Sequence, residues 1–255
     1  MTDNLPLLLP DWPAPDNVHA VITTRAGGVS KAPWNSLNLG SHVGDAAADV
    51  VENRHRLLQA LQTIAPCDTP QWLNQVHGVA VIQAASDANA RISLVPEADA
   101  VTTVAAGLPC VVMTADCLPV FFCDRDGKRV AVAHAGWRGL CDGVLEATLQ
   151  QFPESAQVMV WLGPAIGPEK FEVGDEVRQA FVAQDAEADK AFVPSPQAGR
   201  WLADIYLLAR QRLLKSGVTA IYGGGLCTVS DPARFFSYRR DGQTGRMASV
   251  IWRTA

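Results

Sequence analysis

Two apolar runs separated by a short loop, Cys110 to Met113 and Leu118 to Phe122, constrain this chain more than any other feature. Each is too short for a core helix and rich in Val or Phe, so each reads as a buried strand. Asp126-Gly127 supplies a hairpin turn, and Val130 to Ala133 is expected to pair back. Small-residue loops at the strand ends carry Cys117, in TADC, and His134, in AHAG. The stretch Cys110 to Leu140 is therefore where chemistry is expected, with the remainder as scaffold or substrate wall.

Upstream, the turn Val76-His77-Gly78 in NQVHG offers a third metal-capable side chain, His77. Two imidazoles and a thiolate suit a catalytic zinc whose fourth position is left to water or substrate. Strand ends along one sheet edge bring such loops together. A competing arrangement makes Cys117 a nucleophile with His134 as its base. The two exclude each other, because a thiolate bound to zinc has given its lone pair to the metal.

Elsewhere, Val18 to Thr24 reads as a strand entering a Gly27-Gly28 turn, with Arg25 at its end. Asp45 is a candidate N-cap for a helix from Ala46 to Gln62. On that helix Val50, Val51, Leu57, Leu58 and Leu61 are expected inside, with Glu52, Arg54 and Arg56 facing water. Gln71 to Ile82 is expected as two short strands about the His77 turn, and Asp99 opens the next strand. Trp137 is expected to open a single helix carrying Val144, Leu145 and Phe152 inward. After the strand Val158 to Leu162 comes a GPAIGP turn and a helix from about Gly174, with Glu172 just before it. Residues 183–200 read as loop with short helix, and Trp201 to Lys215 as an amphipathic helix closed by Gly217. A strand, a glycine-bearing connection holding Arg239 and Arg240, and a last strand from Met247 complete the chain. His19, His42 and His55 are read as structural or surface residues.

At 255 residues, 48% of them hydrophobic, the chain is long enough for one large core, and no linker-like stretch divides it, so residues 1–255 are expected as a single domain. A net charge of -5 argues against broad nucleic-acid or anionic-membrane binding. No leader peptide or bilayer-spanning stretch is recognised. Six cysteines without CxxC spacing suit a reduced, cytoplasmic setting.

Taken together, NQVHG, TADCLPV, AVAHAGWRGL, GPAIG with FEVGDEV, and FFSYRRDG resemble the YfiH/PgeF family, the laccase-domain proteins or polyphenol-oxidase-type purine nucleoside phosphorylases. The resemblance runs in order from TTRAGGVS to the last strand. It implies an α+β fold of αββα type, two mixed β-sheets packed face to face with helices outside, similar to cysteine-hydrolase toxin domains. It carries the metal ligands onto His77, Cys117 and His134, with Zn²⁺ as cofactor and Cu²⁺ as a substitute. The implied activity is phosphorolysis of adenosine, inosine and methylthioadenosine, with adenosine deamination alongside.

Arg25, Arg138 and Arg239 are candidates to hold phosphate or sugar, since guanidinium pairs with phosphate through two N–H donors. Glu172 is a further substrate-binding candidate, and Trp137 or Phe236 a platform for the base. The deaminase signature H-x-E with P-C-x-x-C is absent, so an acid/base would come from Asp99, Asp116 or Glu172. A laccase needs a histidine-rich copper cluster beyond a two-histidine, one-cysteine centre, more than five histidines can furnish. The family also suggests an amidase that edits peptidoglycan precursors of the UDP-MurNAc-amino acid type, by zinc hydroxide or a Cys117–His134 dyad. A non-catalytic binding module is the alternative from another class.

Overall fold

The computed structural model describes residues 5–84, 87, 95–153 and 157–255. Its centre is the expected hairpin: β1 (Leu118–Asp124) pairs antiparallel with β2 (Val130–Ala135), Gly127 turning at φ 64°. Alternation sends their side chains to two sides. Val120 and Phe122 of the first strand, with Ala131 and Ala133 of the second, face helices. Phe121, Cys123, Val130 and Val132 face a second sheet.

Four further strands extend the hairpin into a six-stranded mixed sheet. Beyond β1 lie β3 (Val158–Leu162), antiparallel, and β4 (Ala220–Gly223), parallel to it. Beyond β2 lie β5 (Ala100–Thr103), antiparallel, and β6 (Val81–Gln83), parallel to β5. The opposing sheet has four strands in the order β7 (Leu7–Leu8), β8 (Val18–Thr23), β9 (Met247–Arg253) and β10 (Cys110–Thr114). All of its pairings are antiparallel, so of the two facing sheets only the larger is mixed.

Val18, Ile22, Cys110, Val112 and Ile251 from this sheet meet Phe121, Val132, Met159 and Trp161 from the other, forming the inter-sheet core. The outer face of the four-stranded sheet carries Val21, Val111, Val250 and Trp252 against Leu57 and Leu61 of α1 (Ala47–Ile64). The outer face of the larger sheet is covered by α2 (Trp137–Asp142), α3 (Val144–Leu149), α4 (Asp175–Gln184) and α5 (Ile205–Lys215). The layers thus run helix, sheet, sheet, helix, which is the αββα order. A separate three-stranded antiparallel sheet, β11 (Phe192–Pro194), β12 (Arg200–Ala203) and β13 (Glu172–Gly174), sits by α4.

Several elements differ from the sequence expectation. Asp45 does not cap α1: its carboxylate accepts from Ser30 and Asn38 instead. Val51 is exposed, and the helix buries Asn53 in its place, whose amide serves Val29, Ser30, Ser36 and Asn38. Apolar periodicity cannot reveal a buried amide of this kind. Arg54 turns inward, bonding the Leu39 carbonyl and lying over Trp72. The single helix expected from Trp137 is two, broken where Gly143 adopts φ 107°. Arg200–Ala203 is strand, and α5 starts only at Ile205, where Asp204 caps the N–H groups of Tyr206 and Leu207. The first of two strands expected around His77 is replaced by isolated bridges, Gln71 to Cys110 and Asn74 to Glu97.

Candidate metal centre

The two facing sheets leave a mouth at the end where β10 hands over to β1. Strand β2 runs two residues further than the sequence suggested, so His134 lies on the strand, buried, and not in the loop beyond it. Between β10 and β1, Asp116 takes φ 98° and Cys117 follows it. His77 sits at φ 62° in its turn. Positive φ at two non-glycine residues beside one another in space is backbone strain of the sort that collects at functional sites.

One ligand atom from each of His77, Cys117 and His134 lies within 4.8 Å of the others. Cys117 Sγ is 3.8 Å from His77 Nε2, and the two imidazole rings meet edge to face at 4.7 Å. The donor set is two nitrogens and a sulfur, which suits zinc or copper. Asp99, fully buried, fixes the arrangement. Its carboxylate lies 2.8 Å from His134 Nδ1, which leaves Nε2 free to ligate, and it accepts the backbone N–H groups of Val76, His77 and Gly78. One carboxylate therefore orients one ligand and holds the turn carrying another.

Burial pushes the Cys117 thiol up, but the charge and hydrogen bond of His134, and then those of His77, outweigh it and bring the thiol down to about 6. For His134 burial works downward, and the Cys117 thiolate with the Asp99 carboxylate overcome it, raising the imidazole to about 9. Burial would raise Asp99, yet its bonds to His134 and the backbone hold it below the ordinary carboxylate range.

Glycines make the close approach possible. A Cβ on Gly136 would stand 2.7 Å from His77 Cδ2 and 3.2 Å from Cys117 Sγ, and one on Gly139 would stand 2.6 Å from the Gly78 carbonyl. Helix α2 therefore packs directly onto the His77 turn.

A cavity of about 370 Å³ opens over the three donors, lined also by His42, Gln75, Met113, Thr114, Ala115, Tyr238 and Arg246. Gln75 is a brace: its amide exchanges two hydrogen bonds with the Met113 backbone. His42, expected to be structural or surface, is part of the wall. Tyr238, quoted only as part of FFSYRRDG, and Arg246 were not picked out for the site because they lie in the C-terminal connection, where no periodicity assigns a direction.

The other sequence candidates lie outside this wall. Arg25 binds the carbonyls of Asn35 and Pro232 and lies over Phe236. Phe236 is fully buried and has no face for a base. Arg239 Nη1 binds the carbonyls of Lys170 and Glu172, while the Glu172 carboxylate accepts from Ser195. Arg138 is exposed over Trp137, whose ring packs partly into the core. Of the three acid/base candidates, Asp99 is enclosed behind His134. Asp116 accepts from the Thr228 hydroxyl and the Arg239 N–H, tying the C-terminal connection to the Cys117 loop.

An αββα sandwich with a two-histidine, one-cysteine donor set at its mouth defines the class. Residues 19–254 match the family model described as multi-copper polyphenol oxidoreductase laccase, and the chain belongs to that family. It is 58% identical over 246 residues to a purine nucleoside phosphorylase of Pseudomonas aeruginosa, covering 96% of this chain and 97% of that one. To the purine nucleoside phosphorylase YfiH of Escherichia coli it is 52% identical over 247 residues, covering 96% and 98%. Among solved structures, Neisseria meningitidis protein NMB0706 superposes with a TM-score of 0.90 at 48% identity over 98% of this chain and 99% of that one. Bacillus licheniformis YfiH does so at 0.89 and 30% identity, over 100% and 98%. The multi-copper description fits the donors poorly. Among the described residues they form one three-ligand group; His19 packs on Trp252, and His55 lies on α1.

Proposed function

We propose that residues 1–255 form one cytoplasmic catalytic unit, a zinc-dependent purine nucleoside phosphorylase with adenosine deamination as a side activity. The observation that carries this reading is the convergence of His77, Cys117 and His134 at a cavity mouth, in a chain whose relatives carry the phosphorylase name. The donor chemistry fits Zn²⁺, which when bound would supply a Lewis acid for a phosphate oxygen and lower the pKa of water for attack on the purine ring.

The chain's own residues do the rest. Asp99 keeps His134 in one tautomer, with its free nitrogen toward the cavity. The Tyr238 ring, 62% exposed at the rim, offers the stacking face for a base that the buried Phe236 lacks. In phosphorolysis the glycosidic bond from C1′ to the purine nitrogen breaks as a phosphate oxygen bonds to C1′. The cavity must therefore hold ribose between base and anion.

The test is incubation of metal-replete protein with adenosine, with and without phosphate. Adenine and ribose 1-phosphate are expected with phosphate, inosine without it, and both are lost in Cys117→Ala. Absence of ribose 1-phosphate at any phosphate concentration would refute the assignment.

A second reading is favoured by one observation: Cys117, His134 and Asp99 stand in the order nucleophile, base, orienting carboxylate. It makes the protein a thiol amidase acting on peptidoglycan precursors. Turnover of a UDP-MurNAc-amino acid that survives chelation and stops on thiol alkylation would support it over the first.

A further inference from the structure

Two half-buried guanidiniums flank the cavity without a carboxylate partner. Arg246 lines it; its Nη1 bonds the carbonyls of Thr244 and Gly245, and its stem passes over Gly40, where a Cβ would stand 2.8 Å from Arg246 Cγ. Arg54 bonds the Leu39 carbonyl through Nε and Nη2, and Nη2 reaches Sδ of Met113, a cavity residue, at 4.0 Å. Among the described residues neither arginine forms an ion pair. The opposing charges that act most on Arg246 are Cys117 and Asp116, and Asp116 is already committed to Thr228 and the Arg239 N–H.

The segment Asn38 to Gly40 gathers these groups. Asn38 Oδ1 accepts the Arg246 N–H, Leu39 accepts from Arg54, and His42 stands two residues beyond Gly40 in the cavity wall. Burial, then Arg246 and then Arg54, hold the His42 imidazole below its ordinary range, so the charge of both cations reaches it. On the same wall Thr114, only 2% exposed, has an Oγ1 with no hydrogen-bond partner among the described residues. Withdrawing two cations from water without a counter-charge is costly, and a bound anion relieves that cost.

We propose that Arg246, Arg54 and His42 form an oxyanion site in the wall of the cavity, and that its ligand is inorganic phosphate. The identity of the anion rests on the phosphorolysis reading; the existence of the site does not. Arg246 binds through its open edge, Thr114 Oγ1 adds a donor, and Arg54 acts mainly by charge from behind Met113. Arg246 also lies over the Tyr238 ring, 5.9 Å from its centroid, so the anion would sit beside that ring.

The experiment uses the metal-replete full chain. Inorganic phosphate is titrated calorimetrically into wild type, Arg246→Gln and Arg246→Lys, and the phosphate and adenosine KM values are measured in parallel. Arg246→Gln is expected to weaken phosphate binding and raise its KM by about ten-fold or more, as loss of a charge-assisted bond implies, with the adenosine KM changed far less. Arg246→Lys should recover part of the loss and guards against a folding defect. Unchanged phosphate affinity in a folded Arg246→Gln protein overturns the site. If wild type still makes ribose 1-phosphate in that case, the function stands without it. Arg246-dependent phosphate binding with no ribose 1-phosphate leaves the site standing and removes the function. Arg246-dependent binding of uridine diphosphate but not of inorganic phosphate overturns free phosphate as the ligand, in favour of a phosphate ester.

Discussion

At the scale of single residues, Asp99 does the most with the least. It satisfies three backbone N–H groups of the His77 turn and orients His134. Asp99→Asn keeps the size but loses the charge, and its amide presents donors where acceptors are needed. Metal affinity should fall by about ten- to a hundred-fold, measured by competition with a chromophoric chelator, because partners behind a ligand matter on that scale. In metal-free protein, Cys117 and His134 act as a thiolate–imidazolium pair. The thiol, depressed to about 6, contributes stability above its ordinary range that is lost as pH falls through 6. The imidazole, raised to about 9, contributes stability below its ordinary range that is lost as pH rises through 9. The pair therefore persists between those limits. Alkylation of Cys117 by iodoacetamide should show a midpoint near pH 6, and His134→Gln should move it upward by more than a unit; a wild-type midpoint near that of a free thiol would disprove the pairing. His77 and Cys117 were legible in sequence because each sits in a short turn, and His134 because it lies one residue from the end of a strand. Asp99 was visible only as the residue opening a strand, and its four acceptor bonds depend on chain segments that sequence spacing does not relate.

Elements place these residues only because two of them come unusually close. Helix α2 meets the His77 turn through Gly139, where an added Cβ would lie against backbone and not against a side chain that can swing away. Gly139→Ala should displace the turn by a few tenths of an ångström or more and cost about 1–3 kcal/mol, as overpacking does. Metal content measured by atomic absorption should drop while far-ultraviolet circular dichroism stays native; full metal occupancy would show that the contact is not needed. The central hairpin, α4 and the last strand were readable from apolar pattern and turn residues. Arg200–Ala203 was not, because Trp201 and Leu202 continue the helical spacing of α5 without a break, and only the cap at Asp204 marks the boundary. The arginines expected to hold phosphate or sugar lie outside the cavity wall for a related reason. Arg25 and Arg239 end up bonding carbonyls across long separations, whereas Arg54, on what looked like the wet face of α1, turns to Leu39 and Trp72.

On the scale of the whole molecule, the three donors come from parts of the chain that meet only when both sheets are assembled. His77 precedes β6, Cys117 links the four-stranded sheet to the six-stranded one, and His134 lies on the partner strand of the central hairpin. An ion held by all three binds the folded chain in preference to the unfolded one, so its affinity adds to global stability by mass action. At a free metal concentration about a thousand-fold above Kd the gain is about 4 kcal/mol, and in a chain of this size each kcal/mol moves Tm by roughly 2–4 °C. Stripping metal with a chelator should therefore lower the calorimetric Tm by about 8–16 °C, reversibly on readdition of Zn²⁺. Cys117→Ala, with one donor gone, should melt near the stripped wild type and respond to neither treatment. A chelator effect that persists undiminished in Cys117→Ala would mean that the stabilising ion sits elsewhere, and the coupling between sandwich assembly and the metal centre would have to be abandoned.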